Sequence, residues 1–194
     1  MTFSSLRDFV AKLESAGRLV RVAEPVSTVL EMTEIQTRLL AEAGPAVLFE
    51  NPVGADGAPC GMPVLVNLFG TVERVAWGMG REPDDLRSFG EQLAFLRQPE
   101  PPGGWREAVG MLPLLKTVMA MKPKTVGSAP CQEVVIEGPD VNLADLPIQT
   151  CWPSEPSPLI TWPLVVTEGK GGFNLGIYRM QVTGPNTTLM RWLR

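Results

Sequence analysis

Residues 173–194 read FNLGIYRMQVTGPNTTLMRWLR, and their alternation decides how the second half of the chain folds. Apolar and polar residues alternate on both sides of Gly184-Pro185-Asn186, a turn signal, so the stretch predicts two strands joined as a hairpin. In a regular strand Asn174, Gly176, Tyr178 and Met180 share one face, and Leu175, Ile177, Arg179 and Gln181 share the other. Arg179 and Arg191 fall on neighbouring strands of that hairpin. Two guanidiniums close together are costly without an anion, and a guanidinium matches a phosphate bidentately. Asn174 offers a neutral oxygen to a hard cation shared with that phosphate. The residues alone leave two readings open: solvated surface charges, or a site for a phosphorylated cofactor. The stretch ends on Trp192-Leu193-Arg194 with neither a polar tail nor a closing helix. The chain is therefore expected to be the amino-terminal piece of a longer protein.

Upstream, strands are expected at Leu164-Val165-Val166-Thr167 and at Val134-Val135-Ile136, with Gly169-Lys170-Gly171-Gly172 as a hairpin turn. The first hundred residues have a different rhythm. Leu6, Phe9, Val10 and Leu13 recur at helical spacing, Ser5 with Asp8 imitates a capping box, and Gly17 sits where a helix stops. Leu19–Val22 reads as a strand. A helix follows from about Leu30 to Ala43, with Met32, Ile35, Leu39 and Leu40 inward. Ala46–Phe49 and Val64–Val66 fit buried strands. Thr71 caps a helix through Met79, and another runs from about Asp84 to Leu96. Helix and strand alternate as in an α/β layer. Residues 98–104, QPEPPGG, form a stiff linker. Leu112–Met121 is a further helix, ended by Lys122-Pro123-Lys124.

Composition narrows the classes. The 194 residues are 44% hydrophobic and 20% charged, which suits a packed core. A net charge of −4 argues against nucleic acid as the main partner. No apolar run reaches the ~20 residues of a membrane span, and MTFSSLRDFV lacks the layout of a signal peptide. Cys60, Cys131 and Cys151 are odd in number and never form C-x-x-C, so reduced thiols in the cytoplasm are expected. The chain has no histidine, which removes Ser-His and Cys-His catalysis and every His-liganded metal from the chain as it stands. Gly78-Met79-Gly80 lacks the third glycine of a dinucleotide fingerprint and reads as a helix end. Glu137, Asp140 and Asp145 are spaced as turn and strand-end residues.

Several segments, in order, resemble one family. They are LRDFVAKLESAGRLVRV, GPAVLFEN, PVLVNLFGTVERVAWGMG, QPEPPGGW, APCQEVVIEG, DLPIQTCWPSEPSPLITWPLVVT and NLGIYRMQVTGPNTTLMRWLR. The chain resembles the amino-terminal part of the UbiD-type decarboxylases, the 4-hydroxy-3-polyprenylbenzoate carboxy-lyase family that uses prenylated FMN. The resemblance implies an α/β (α+β) chain: an amino-terminal α/β domain over residues 1–110, a linker and helix over 111–127, and the first strands of a split β-barrel flavin-binding domain over 128–194. It implies that Asn174 is a ligand of a divalent metal, usually Mn2+, bridging to the cofactor phosphate; K+ is a second candidate cation. Ile177, Tyr178 and Arg179 match the first cofactor-binding segment, and Arg191, Trp192 and Leu193 the second. Thr161 lies on a strand that in the family approaches the flavin. No catalytic residue is expected within these 194 residues, because the family's His and Glu metal ligands and its acidic proton-handling residues come later. The isolated piece is thus expected to be inactive.

For the parent, the resemblance implies loss of carbon dioxide from an aromatic or α,β-unsaturated acid. The substrate would be 4-hydroxy-3-polyprenylbenzoate if the pathway is ubiquinone synthesis. A flavin prenyltransferase supplying the cofactor, a homo-oligomer and peripheral contact with the inner membrane are the implied partners. Two alternatives belong to other classes: a non-catalytic assembly module, and an FMN reductase of related barrel shape, which no nicotinamide motif supports. Asn174 and Arg179 are an odd number of residues apart. If both reach one cofactor, the strand must bulge or twist, and Gly176 is the expected place.

Overall fold

In the computed structural model, which describes residues 3–98, 103–121 and 124–191, residues Met1–Pro83 with Glu137–Arg194 form one compact unit and Asp84–Ile136 a second. The first unit starts with α1 (Leu6–Ser15), where the Ser5 hydroxyl accepts the Asp8 N–H and buries Phe9 and Leu13 on one stripe. The chain continues through β1 (Leu19–Val22), the two-residue β2 (Val26–Ser27), α2 (Glu31–Ala41), β3 (Ala46–Phe49), β4 (Pro52–Val53), β5 (Val64–Val66) and α3 (Val72–Gly78). The order β1-β3-β5 makes a three-stranded sheet, parallel between β1 and β3 and antiparallel between β3 and β5.

Side-chain alternation divides this sheet into two apolar faces. Val47, Phe49 and Val66 pack with Met32 of α2, and Val22, Ile35, Leu39 and Val64 close around them. Ala46 and Leu19 pack on the other face with Phe9 and Leu13 of α1, joined by Leu48, Leu65 and Trp77 of α3. The sheet is thus covered on both sides, as the alternation of helix and strand predicts. Leu40, expected to point inward, is instead 55% exposed. It sits one step past Leu39 around the helix, outside the stripe that meets the sheet. Arg21 leaves the edge of β1 to pair with Glu14 at 2.6 Å and Glu50 at 3.0 Å.

After residue 136 the same unit contains β6 (Leu159–Ile160), β7 (Leu164–Gly169), β8 (Gly172–Ile177), β9 (Met180–Gly184) and β10 (Thr187–Met190). They form two antiparallel sheets, β10-β9-β6 and the hairpin β7-β8. Residues 173–190 therefore carry three strands where two are expected: the first breaks between Ile177 and Met180. The turn at Pro185-Asn186 falls where the sequence places it, with Gly184 opposite Thr187. The β7-β8 turn also falls on Lys170-Gly171. Thr150 exchanges backbone hydrogen bonds with Thr28 and Leu30, so this part of the chain adds a bridge beside β2. One face of β7-β8 carries Leu164, Val166, Phe173, Leu175 and Ile177, between 54% and 76% exposed.

The second unit holds α4 (Asp85–Arg97), α5 (Trp105–Gly110) and α6 (Leu112–Ala120). Val134-Val135-Ile136, expected as a strand, pairs with no strand among the described residues and lies exposed. Its β-branched run marks a segment able to fit a pleated surface, and propensity without a paired neighbour makes no strand. Parts of two sequence expectations, Pro99–Pro102 of the linker and Lys122-Pro123, lie outside the described residues.

Candidate functional site

Register brings three of the expected site residues into one row. Met180 of β9 stands opposite Met190 of β10 and opposite Ile160 of β6. Arg179, Arg191 and Thr161 each lie one residue beyond those pairs, at the same end of the sheet, in the order Arg191, Arg179, Thr161. Both arginines are exposed and Thr161 is half-buried. Neither arginine makes an ion pair with any described residue. Two arginines at neighbouring strand ends offer N–H donors of the kind that suit an oxyanion.

Ile177 and Tyr178 precede Arg179 in the chain. Ile177 is the last residue of β8, opposite Leu164, and belongs to the exposed apolar face of the hairpin. Tyr178 leaves the ladder, and its ring folds back over Gly176. A Cβ on Gly176 would stand 2.9 Å from Tyr178 Cζ and 3.1 Å from its hydroxyl oxygen. Glycine is needed here because the ring occupies the space a side chain would fill. Gly176 points to the same side as Asn174, two residues back, so the Tyr178 ring lies on the Asn174 face. Asn174 itself is paired with Thr167 and exposed.

The expected bulge at Gly176 is absent. The β7-β8 ladder runs in register through Val165↔Gly176, and Gly176 is not among the glycines with positive φ. The chain resolves the parity of Asn174 and Arg179 differently. Tyr178 and Arg179 sit in neither strand, and the path turns between two separate sheets there, so face alternation does not carry from Asn174 to Arg179. Trp192 and Leu193 lie outside the described residues.

A second polar cluster, in the amino-terminal half, escaped the sequence reading. Asn67, with φ 54°, donates from Nδ2 to the carbonyls of Gly44 at 3.1 Å and Pro45 at 2.9 Å. Arg74, only 1% exposed, donates from Nε to Leu68 O at 3.1 Å and from Nη2 to Asn67 O at 3.0 Å. Gly70 lies against both: a Cβ there would overlap the Asn67 carboxamide and stand 2.9 Å from Arg74 Nη2. Burial pushes the Arg74 guanidinium below its ordinary range, the Arg18 charge adds to that, and Glu73 opposes it. The available signal was an arginine on the inward side of a short helix, beside the buried Ala76.

Among the described residues no three His, Cys, Asp or Glu side chains gather closely enough to hold a metal ion. No helix among them is long and apolar enough to cross a membrane. Burial pushes the Cys151 thiol up, which opposes thiolate formation.

Known proteins place these two halves together. A family model described as the 3-octaprenyl-4-hydroxybenzoate carboxy-lyase N-terminal domain matches residues 10–93. A second, the Rift-related domain of the same carboxy-lyase, matches residues 124–194. The chain is similar to an evolved dimeric form of the UbiD-class enzyme HmfF from Pelotomaculum thermopropionicum in complex with prFMN. Identity is 26% and the TM-score 0.73, over 98% of this chain and 39% of that one. It is similar to the closed form of vanillic acid decarboxylase from Sedimentibacter hydroxybenzoicus at 25% identity and TM-score 0.72, over 100% and 38%. It shares the fold of apo 3,4-dihydroxybenzoic acid decarboxylase from Enterobacter cloacae, at 21% identity and TM-score 0.71, over 100% and 37%. The chain thus spans less than two fifths of the length of these solved structures.

Proposed function

The chain belongs to the 3-octaprenyl-4-hydroxybenzoate carboxy-lyase, or UbiD, family, and from that premise we propose that it is the amino-terminal part of a non-oxidative decarboxylase that uses prenylated FMN. The observation that carries this reading is the ordered match of both family domains along one chain. The substrate class is an aromatic or α,β-unsaturated acid. Within it we propose 4-hydroxy-3-polyprenylbenzoate, and a role in ubiquinone biosynthesis. The enzyme would then work in the cytoplasm, as a homo-oligomer, touching the inner membrane peripherally to reach the lipid tail. A flavin prenyltransferase would supply its cofactor.

Prenylated FMN, when bound, supplies the electron sink that lets the carboxylate depart as carbon dioxide. The chain's own residues bind and orient. Arg179 and Arg191 hold the cofactor phosphate, a reading supported by their common sheet end and by the lack of a carboxylate partner among the described residues. Thr161 completes that row. Ile177 and Tyr178 flank the cofactor, with Gly176 leaving room for the Tyr178 ring; Trp192 and Leu193 belong to the second cofactor segment. A metal site fits less well. Asn174 brings one neutral oxygen, and no cluster of acidic or thiol ligands accompanies it among the described residues. A site for Mn2+ or K+ would need ligands from other residues, and no step is derived through it. With no histidine and no assigned proton donor, the 194-residue chain alone would not turn over.

The full-length parent, co-expressed with a flavin prenyltransferase, tests the proposal. Carbon dioxide release from 4-hydroxy-3-polyprenylbenzoate is expected, and an Arg179→Gln, Arg191→Gln double variant should purify with little flavin. A flavin-loaded parent that decarboxylates no aromatic or unsaturated acid would refute the reaction. Undiminished flavin in the double variant would refute the site.

A further inference from the structure

The helices of the second unit have no core of their own. No described residue between 84 and 136 is buried, although α6, LPLLKTVMA, carries a single charge. A helix that is apolar on nearly every side needs an apolar phase around it. Trp105 and Val109 lie one turn apart on α5, and Leu112 and Met119 two turns apart on α6; all four are 56–72% exposed. Single exposed apolar side chains are ordinary, but a run of them along two successive helices marks an interaction surface. Its charge says of what kind. Residues 103–128 carry four basic side chains, Arg106, Lys116, Lys122 and Lys124, against one acid, Glu107, in a chain whose net charge is −4. Neither Arg106, Lys116 nor Lys124 makes an ion pair with a described residue. Lys116 shares the stripe of Leu112 and Met119, four residues after the first and three before the second. The core of a protein interface would strip water from that ammonium, which is why lysine is depleted there. At a lipid surface the lysine stem lies along the apolar side chains while its ammonium reaches the headgroups. Trp105, with the Arg106 guanidinium 5.3 Å from its ring centre, adds the amphipathic ring and cation that suit the headgroup level.

We propose that α5 and α6 form a surface that lies on an anionic lipid bilayer, with Trp105, Val109, Leu112 and Met119 at the acyl boundary and Arg106, Lys116 and Lys124 among the headgroups. At about 14 Å, α6 is too short to cross a hydrocarbon core of about 30 Å, so the segment lies in the plane of the interface. The inference rests on the peripheral membrane contact proposed above and gives that contact a location. Every residue it uses belongs to the second unit, and none is assigned to the flavin. So short a segment needs both contributions, apolar burial and attraction to anionic headgroups, and its binding weakens with salt.

The full-length parent is sedimented with vesicles of phosphatidylcholine and phosphatidylglycerol in equal parts, and with vesicles of phosphatidylcholine alone. One variant combines Lys116→Gln with Lys124→Gln, the other Leu112→Ser with Met119→Ser; all four side chains are exposed, so their loss leaves no cavity. Binding to the anionic vesicles is expected, weakened about fivefold for each lysine removed and about tenfold in the Leu112, Met119 variant. Amide hydrogen exchange over residues 103–121 should slow on those vesicles. No sedimentation with anionic vesicles overturns this inference and the peripheral contact together. Sedimentation that neither variant weakens, or that neutral vesicles reproduce, overturns this surface alone and leaves the contact standing. If the Leu112, Met119 variant separates the subunits of an oligomer and sediments unchanged, the surface joins copies of the chain and the inference fails.

Discussion

Gly70→Ala should destabilise the amino-terminal half by about 2 kcal/mol, and the loss should vanish when Asn67 is also alanine. Gly70 does not have a positive φ, so the new methyl meets a steric obstacle and no backbone strain. It would overlap the Asn67 carboxamide, which must swing away. Asn67 then loses its bonds to Gly44 O and Pro45 O, about 2 kcal/mol together at about 1 kcal/mol net each. Crowding against Arg74 Nη2, 2.9 Å from the methyl, adds about 1 kcal/mol at the low end of overpacking. Replacing glycine also restricts the unfolded chain, returning about 0.5–1 kcal/mol. In an Asn67→Ala background the first cost is absent and the other two nearly cancel. Urea unfolding of the four variants gives the coupling, expected at about 2 kcal/mol. If Gly70→Ala costs the same in both backgrounds, within about 0.5 kcal/mol, the carboxamide is not what excludes a side chain at Gly70.

Gly176→Ala should displace the ring of Tyr178, the chain's single tyrosine, at a cost of about 1–3 kcal/mol; unchanged tyrosine ring signals would count against that packing. Met32→Ala, emptying a fully buried position under the sheet, should cost about 2–5 kcal/mol in urea unfolding. Glu14→Gln should remove an acid-sensitive contribution. Hydrogen bonding from Arg21 holds the Glu14 carboxyl below its ordinary value of 4.5. That stabilisation is complete above 4.5 and is lost as pH falls through the lowered value. Wild type and variant should therefore differ most at neutral pH and low salt and converge in acid, as followed by pH-dependent unfolding.

Local signals carried most of the amino-terminal half. Ser5, Asp8 and the spacing of Phe9 and Leu13 describe a capped amphipathic helix without tertiary information, and α1 follows them. The apolar runs at 46–49 and 64–66 could only be buried strands in a chain this alternating. The two-residue β2 and β4 carry too little pattern to be seen. Arg179 and Arg191 were legible as neighbours because the turn at 185–186 sets the register that places them. The break at Tyr178-Arg179 was not, since each residue suits a strand individually; it comes with a ring lying over Gly176, a relation between side chain and backbone that no spacing reveals. Arg74 went unread for the same reason: on paper it is one more charge on a helix, and only its two carbonyl partners distinguish it.

The bridge between Thr150 and the backbone of Thr28 and Leu30 has a consequence for the order in which the chain is made. A ribosome adding about 5–20 residues each second delivers residue 150 roughly 6–24 s after residue 30. Helix α1, the β1-β3-β5 sheet and α3 draw their partners from the first 83 residues and can assemble in that interval. The Thr28 carbonyl and Leu30 N–H cannot be satisfied by this bridge until the later segment arrives. The newborn amino-terminal half therefore waits with part of a strand edge open, and that edge is where a chaperone or a stray extended segment would first find purchase.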